Sequence, residues 1–286
     1  MPLPALFHDR AGRPLTSRDI TTALRNVGAA DGRILVLHTG AALGTPNPDL
    51  SRADILRGLL DAVLALGVPT LVMPAFTFSF CENRPYHRQN TRTKMGALNE
   101  YFRKQPGVER SLDPILSWVA AGAETALVRD VGRHSIGADS TFDRLRLRGP
   151  DVRFAFLGAF AADCFTYLHY VEERLRVPYR HDLPFTGSIT DGDRTWTDTH
   201  TLFVRYHGVR AFQGPKFQDH LLQSGILRQQ PAGDHFASSM PEPPAYAAVE
   251  EKIRGDLNYF LEKPPPPRPP GPLDPSYVVD GEVLAL

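Results

Sequence analysis

Arg33-Ile-Leu-Val-Leu-His38 is an unbroken apolar run held between Asp31-Gly32 and Thr39-Gly40, the pattern of a strand covered on both faces. Beyond a loop the period changes. From Ser51 onward, Ile55, Leu56, Leu59, Leu60, Val63 and Leu64 recur at three-and-four spacing, Ser51-x-x-Asp54 is a variant capping box, and Gly67 stops the helix. Pro69-Thr-Leu-Val-Met-Pro74 then supplies a second buried strand. Strand, helix and strand joined this closely form a βαβ unit, which predicts a parallel pair with helices packed on the sheet, an α/β fold with a mixed central sheet.

Outward from that unit, residues 95–105 carry a helical pattern behind a long polar loop at 81–94, and loops of that kind in compact domains are usually functional. Val152-Arg-Phe-Ala-Phe-Leu157 reads as another buried strand with a helix from Thr166 after it. Between Thr186 and Tyr206, Thr, Ile, Trp, Phe and Val around Asp191-Gly-Asp predict a hairpin or meander. Helices are expected at about 213–224 and 243–262. Lys263-Pro-Pro-Pro-Pro-Arg-Pro-Pro-Gly-Pro272 is extended, polyproline-like chain before a last strand-like piece at Tyr277-Val-Val. Residues 1–262 therefore read as a single α/β domain, and 263–286 as a proline-rich extension serving as a spacer rather than as a ligand for another domain.

Composition narrows the partners. A chain of 286 residues, 42% hydrophobic and 22% charged, can bury a large core. Thirty-two basic residues balance thirty-two acidic ones, which gives no electrostatic reason to expect nucleic acid or a membrane surface, so a small molecule is the expected partner and a homodimer is left open. Cys81 and Cys164 are too few for a disulfide framework. The start has no basic segment before an apolar core, and no segment approaches the ~18 apolar residues of a membrane span. A cytoplasmic protein is expected.

The stretch that carries chemistry is Thr166-Tyr-Leu-His169-Tyr-Val-Glu172-Glu173. If Thr166 caps a helix, His169 and Glu172 stand three apart on one face, where a carboxylate can orient an imidazole as a general base. His-x-x-Glu-Glu also resembles an inverted zinc motif, but the second histidine is missing and no metal site is expected. Cys164 nearby could be an acyl-accepting thiolate; a small buried hydrophobe is the preferred reading. His38-Thr39-Gly40 ends the first strand, where open α/β sheets place ligands, or is simply a strand-end histidine and a turn. Arg110-Ser111-Leu112-Asp113-Pro114 sets a guanidinium, a hydroxyl and a carboxylate in a short turn, which a helix N-cap would also explain. Neither Gly-x-Gly-x-x-Gly nor a Walker pattern occurs, so a CoA-like ligand has to be held another way.

These pieces line up in one order over about residues 15–262: His38-Thr-Gly with Leu43-Gly44, Val72-Met-Pro-Ala-Phe-Thr77, Asn90-Thr-x-Thr-Lys-Met-Gly96, Arg110-Ser-x-x-Pro114 and Thr166-x-Leu-His169-x-x-Glu172. As an ordered set they resemble the aminoglycoside 3-N-acetyltransferase family, which differs in fold from the GNAT acetyltransferases. The resemblance implies acetyl transfer from acetyl-CoA to a primary amine in a ternary complex, without a covalent enzyme intermediate. It makes His169 the base, Glu172 its orienting carboxylate, and sets Thr166 beside the thioester. His38, Thr39, Gly40, Met73, Thr77, Arg110 and Ser111 would serve the CoA side, and Phe76, Arg84, Arg88, Asp113 and Glu173 the acceptor side. A helix N-terminus at Thr166 would bring amide groups to the oxyanion. Two rivals stand beside this reading: a non-catalytic ligand-binding member of the same fold, and a Cys/His acyl transferase or hydrolase.

The sequence also departs from the family. His-Ser-Ser is usual where His38-Thr39-Gly40 stands, Arg-Ser-x-His-Pro where Asp113 precedes Pro114, and often Ser-Pro where Ser140-Thr141 stands. The loop at 81–94 sets Arg84, Arg88, Arg92 and Lys94 against the single acid Glu82. Such a rim suits an amine that also carries a carboxylate or phosphate rather than a polycationic aminoglycoside. The alternative is that these cations face solvent or grip the CoA phosphates.

Overall fold

The computed structural model describes residues 3–40, 43–211 and 214–267, so the strand-like piece at Tyr277 lies outside the described residues. The chain opens with β1 (Ala5–His8), β2 (Pro14–Thr16), α1 (Ser17–Asn26), β3 (Ile34–Thr39), β4 (Thr45–Pro46), α2 (Arg52–Leu64) and β5 (Thr70–Pro74). It continues through β6 (Tyr86–His87), α3 (Ala97–Phe102), β7 (Glu109–Arg110), β8 (Trp118–Gly122), α4 (Thr141–Leu147) and β9 (Val152–Leu157). Then follow α5 (Ala161–Cys164), α6 (Tyr167–Arg174), β10 (Arg180–Asp191), β11 (Arg194–Arg205), α7 (Gly214–Gln223), β12 (Arg228–Ala232), β13 (His235–Pro241) and α8 (Glu242–Gly255).

The βαβ unit forms as its pattern predicts. Ser51 caps α2 by accepting the Asp54 amide, and β3 and β5 pair in parallel with Ile34 opposite Thr70. They belong to a seven-stranded mixed sheet in the order β12-β13-β9-β3-β5-β8-β7, in which β9, β3 and β5 run parallel and the outer pairs antiparallel. Alternation along each strand divides the core in two. Leu35, Leu37, Leu71, Met73 and Ala155 face α1, α2 and α3; Ile34, Val36, Val72, Phe154 and Phe156 face α4, α6, α8 and the β10–β11 hairpin.

Several boundaries differ from the sequence expectations. Trp118–Gly122, which the sequence pattern leaves unassigned, is a sheet strand held between β5 and β7. The hairpin is longer than expected, twelve residues in each arm, with Gly192 at φ 58° in the turn. The helix expected over 95–105 closes to Ala97–Phe102, and the one expected over 243–262 ends at Gly255. The loop at 81–94 is pinned by Tyr86–His87, which pairs in parallel with β10. Among the described residues, no helix is long and apolar enough to cross a membrane.

Candidate active site

His169 and Glu172 lie on α6 as their spacing predicts, with Glu172 Oε2 2.7 Å from His169 Nδ1. The first strand of the hairpin completes the arrangement. Tyr179 donates its hydroxyl to Glu172 Oε1 at 2.9 Å, and Arg180 Nη2 lies 2.8 Å from Glu172 Oε2 and 2.9 Å from His169 Nδ1. Arg180 is itself fixed by donating Nη1 to the Phe203 carbonyl at 3.1 Å. His169, Glu172, Tyr179 and Arg180 are all buried.

Electrostatics assign the protons. Burial pushes the Glu172 carboxyl up, but the Arg180 guanidinium, the His169 ring and the Tyr179 hydroxyl outweigh it and bring its pKa down to about 2. Burial, and then the Arg180 charge, bring His169 down to about 4 against the opposing pull of Glu172. The ring is thus neutral near pH 7 and faces an ionised, acceptor-only carboxylate. We assign its proton to Nδ1, donated to Glu172, with the Arg180 hydrogens directed to Oε2 of the same carboxylate. Nε2 is left as the basic nitrogen, and it has no hydrogen-bond partner.

Among the described residues several other buried polar atoms share that condition, and two of them, Thr166 Oγ1 and Arg180 Nε, belong to residues around the same space. Their residues and His169 line one cavity of about 20 Å³, together with Phe78, Leu116, Ile136, Phe142, Leu202, Phe203, Val204 and Arg205. Buried polar groups are nearly always paired, so three orphans converging on one space mark where chemistry can be done. Thr166 reaches this position by a route the sequence did not suggest. Its backbone is already helical, at φ −62° and ψ −18°, and its side chain caps nothing. The Phe165 and Thr166 carbonyls accept the amides of Leu168 and His169, so the hydroxyl is released to the cavity and those amides are not free to meet an oxyanion.

A second, larger cleft of about 530 Å³ opens on the other side of the sheet, at the carboxyl ends of β3 and β9. Thr39, Gly40 and Leu157 meet apolar side chains of α2 there, with Asn47 as a polar group. Thr39 donates its hydroxyl to Asn99 Oδ1 at 2.8 Å. An adjoining cleft of about 430 Å³ shares Arg52, Leu56, Gly96 and Ala97 and adds Arg92, Lys94 and Lys104 against one acid, Glu100.

The other expected site residues do structural work. His38 points to the opposite face of β3 from Thr39, stacked on Phe156 at 5.2 Å and edge-on to Trp118 at 6.4 Å, and burial pulls its pKa down to about 4. Met73 and Phe76 are core. Thr77 donates to the Pro114 carbonyl at 2.8 Å. Arg110 is a strut rather than a cofactor ligand: its buried guanidinium donates to the carbonyls of Ala75, Arg88 and Thr91, holding the loop at 81–94 to the sheet. Ser111 accepts the Trp118 amide, and Asp113 accepts the Ile115 and Leu116 amides and the Ser135 hydroxyl. The expected acceptor rim is not assembled: Arg84 pairs with Glu82, and Arg88 with Asp191 and the Arg110 carbonyl. Glu173 pairs with exposed Arg176 through Oε1, while its Oε2 is buried without a hydrogen-bond partner. Cys164 donates its thiol to the Phe160 carbonyl at 3.1 Å, and burial pushes its pKa up to about 12, opposing a thiolate nucleophile. Among the described residues, no group of three or more His, Cys, Asp and Glu side chains is placed to hold a metal.

Tyr179, Arg180 and Arg205 escape the sequence reading because they reach His169 through the hairpin, with no local spacing to announce them. Arg52, at the start of α2, and Lys104, just past α3, meet at their cleft from elements far apart in sequence. Arg92 and Lys94 were visible as loop charges, without an indication of which cleft they face.

The family model described as Aminoglycoside 3-N-acetyltransferase matches residues 41–254. Among curated proteins, aminoglycoside N(3)-acetyltransferase VIII of Streptomyces fradiae is 28% identical over 212 residues, 65% of this chain and 70% of that one. The SPbeta prophage-derived aminoglycoside N(3')-acetyltransferase-like protein YokD of Bacillus subtilis (strain 168) is 24% identical over 220 residues, 67% and 77% of the two chains. Among solved structures, aminoglycoside acetyltransferase AAC(3)-Xa superposes with a TM-score of 0.71 at 22% identity, covering 87% of this chain and 95% of its own. AAC-IIIb in a binary complex with CoASH gives 0.70 at 20% identity, covering 87% and 99%.

Proposed function

The chain belongs to the aminoglycoside 3-N-acetyltransferase family, and on that footing we propose that it moves an acetyl group from acetyl-CoA to the amine of a small molecule, with His169 as general base. The observation that carries this reading is the convergence of unpartnered His169 Nε2, Thr166 Oγ1 and Arg180 Nε on one cavity.

Nε2 takes the proton that the amine sheds as its nitrogen bonds to the thioester carbonyl carbon. The carbonyl oxygen becomes an oxyanion, which the Thr166 hydroxyl can meet and which the Arg180 and Arg205 charges favour in a dry site. Collapse breaks the C–S bond, and the imidazolium returns its proton to the leaving CoA thiolate. Glu172 keeps Nδ1 protonated and steadies the transient imidazolium. The apolar cleft at Thr39 and Gly40 suits part of a CoA molecule, whose thioester end must pass the carboxyl ends of β3 and β9 to reach His169 on the other face of the sheet. The adjoining one, with Arg52, Arg92, Lys94 and Lys104, suits the CoA phosphates. Of the loop cations only Arg92 and Lys94 border this cleft, and Lys94 is also paired with Glu82.

The acceptor is a small amine and not a polycation, because Arg180 and Arg205 border the cavity while Glu172, the carboxylate beside it, is fully engaged. Thiol release from acetyl-CoA, followed across small amines and kanamycin-type aminoglycosides, tests both points. Release with a small amine at a kcat/KM well above that for the aminoglycosides is expected; release with none would leave a ligand-binding protein. Cys164→Ser should turn over within about twofold of wild type, since its thiol is not the nucleophile. A loss of about 10²-fold or more in that variant would restore the covalent mechanism.

A further inference from the structure

His169 and Glu172 are held from the hairpin by Tyr179 and Arg180, but the Thr166 hydroxyl has no hydrogen-bond partner. Its place in the cavity is therefore set by its backbone alone. We infer that a buried pair outside the cavity, Tyr167 with Glu242, fixes that backbone, which makes both of them positioning residues for the reaction. This rests on the reading of Thr166 as the hydroxyl that meets the oxyanion.

Helix α6 is eight residues long and starts without a side-chain cap. A helix this short frays from its first turn unless tertiary packing anchors it. Tyr167, its first residue, supplies the anchor. The ring is buried among Phe154, Tyr170, Phe165 and Phe142, with centroids 4.8, 5.3, 5.8 and 6.4 Å away. Its hydroxyl donates to Glu242 Oε1, and burial beside Glu242 pushes the phenol pKa up, so the proton stays on Tyr167. Phe142 is also a wall of the cavity, so the ring braces that wall as well as the helix.

Glu242 is buried at the first residue of α8, and an acid in such a place is destabilising unless it is paired and hydrogen-bonded. The Tyr167 hydroxyl and Arg146, whose Nη1 lies 3.3 Å from Oε2, meet that need, helped by the positive end of the α8 dipole. The turn before β9 leaves room for it: a Cβ on Gly149 would lie 2.6 Å from Glu242 Oε2. An apolar pair at 167 and 242 could fill the same volume with little loss of stability. It could not hold the start of α6 at one distance and angle, because apolar contact is non-directional and a hydroxyl-to-carboxyl bond is not. The pair thus joins α8 and the end of α4 to the residue next to Thr166.

The test is Tyr167→Phe, which keeps the ring and removes the hydroxyl, read by thiol release from acetyl-CoA with an amine acceptor. Its kcat should fall about tenfold, less than the roughly 10²-fold expected for Thr166→Ala, while KM for acetyl-CoA stays within about twofold because that cleft lies on the other side of the sheet. In the Thr166→Ala background the same substitution should cost less than about twofold, since no hydroxyl is left to misplace. Glu242→Gln, which keeps an acceptor for the phenol, should lose less than Glu242→Leu. Amide exchange reads the anchor without turnover. The Leu168 and His169 amides, bonded to the Phe165 and Thr166 carbonyls, should exchange about tenfold faster in Tyr167→Phe, with those of β3 and β5 unchanged. Equal losses of kcat with and without the Thr166 hydroxyl, wild-type kcat in Tyr167→Phe, or faster exchange throughout the chain would overturn the inference. Thr166→Ala at wild-type kcat would remove that hydroxyl from the chemistry and the inference with it. A wild type that releases no thiol with any amine would remove the acetyltransferase reading instead, and the exchange comparison would still decide whether Tyr167 anchors α6.

Discussion

His169→Ala is expected to lower thiol release from acetyl-CoA in the presence of an amine by roughly 10²- to 10⁴-fold, the usual contribution of a general base. The variant should still fold, because His169 makes its polar contacts only within the Glu172 and Arg180 group, and α6 keeps its apolar packing against the sheet. It should also still bind CoA, since the cleft at Thr39 lies in the other half of the core. A rise in Tm on adding CoA, alongside the lost turnover, separates the two effects. The pH dependence adds a second check. The base works when deprotonated, and burial with the Arg180 charge holds it down to about 4, so once the acceptor's own ionisation is divided out, wild-type kcat/KM should fall as pH drops through that region rather than near the ordinary histidine value. A variant with wild-type turnover and an unchanged profile would take His169 out of the mechanism.

Glu172→Leu should be the most destabilising single change in the site. It leaves the Arg180 guanidinium buried and without its carboxylate, and breaking a buried pair in this way costs roughly 3–5 kcal/mol. It also frees the His169 ring to present either nitrogen, so turnover should fall with stability. Glu172→Gln keeps an acceptor for the ring and should lose less of both. The Glu172 pKa is depressed in the folded chain, so its contribution is fully present above the ordinary glutamate value and is lost as pH falls from there toward about 2. Urea unfolding at pH 7 and at pH 3 should therefore show a large wild-type-to-variant gap that shrinks in acid. A gap of the same size at both pH values, or additivity with Arg180→Met in a double-mutant cycle, would show that the pair does not act as a unit.

What the sequence displays of this protein is what lies close together along it. Ile34 to Val36 and Leu71 to Met73 are apolar on both faces because both faces of the sheet are covered, and that alone exposes the parallel centre. His169 and Glu172 are legible because one helical turn brings them together. Trp118–Gly122 was not, since Ala120, Ala121 and Gly122 carry little strand character and pair only because β5 and β7 flank them. Nor was the β12–β13 hairpin, where Arg228, Gln229 and Gln230 give no apolar alternation. Arg110 was misread for a related reason. A guanidinium in a turn has the same spelling whether it grips a phosphate or three carbonyls of its own chain, and only its burial decides. Arg180 shows the converse case, a residue with no motif around it that sets the proton position on His169.

The close approach of Gly40 to the turn after β9 restricts which residues can stand there. A Cβ on Gly40 would lie 2.0 Å from the Gly158 carbonyl oxygen, and the Gly40 amide donates to the Leu157 carbonyl at 2.8 Å. A serine at 40, as in the family pattern that this chain resembles, has no room here unless the backbone at Gly158 withdraws. The missing hydroxyl is therefore not a single substitution waiting to be reversed. With the two strand ends this close, a hydroxyl at position 40 would call for a coordinated change in the Gly158 turn and not for one substitution alone.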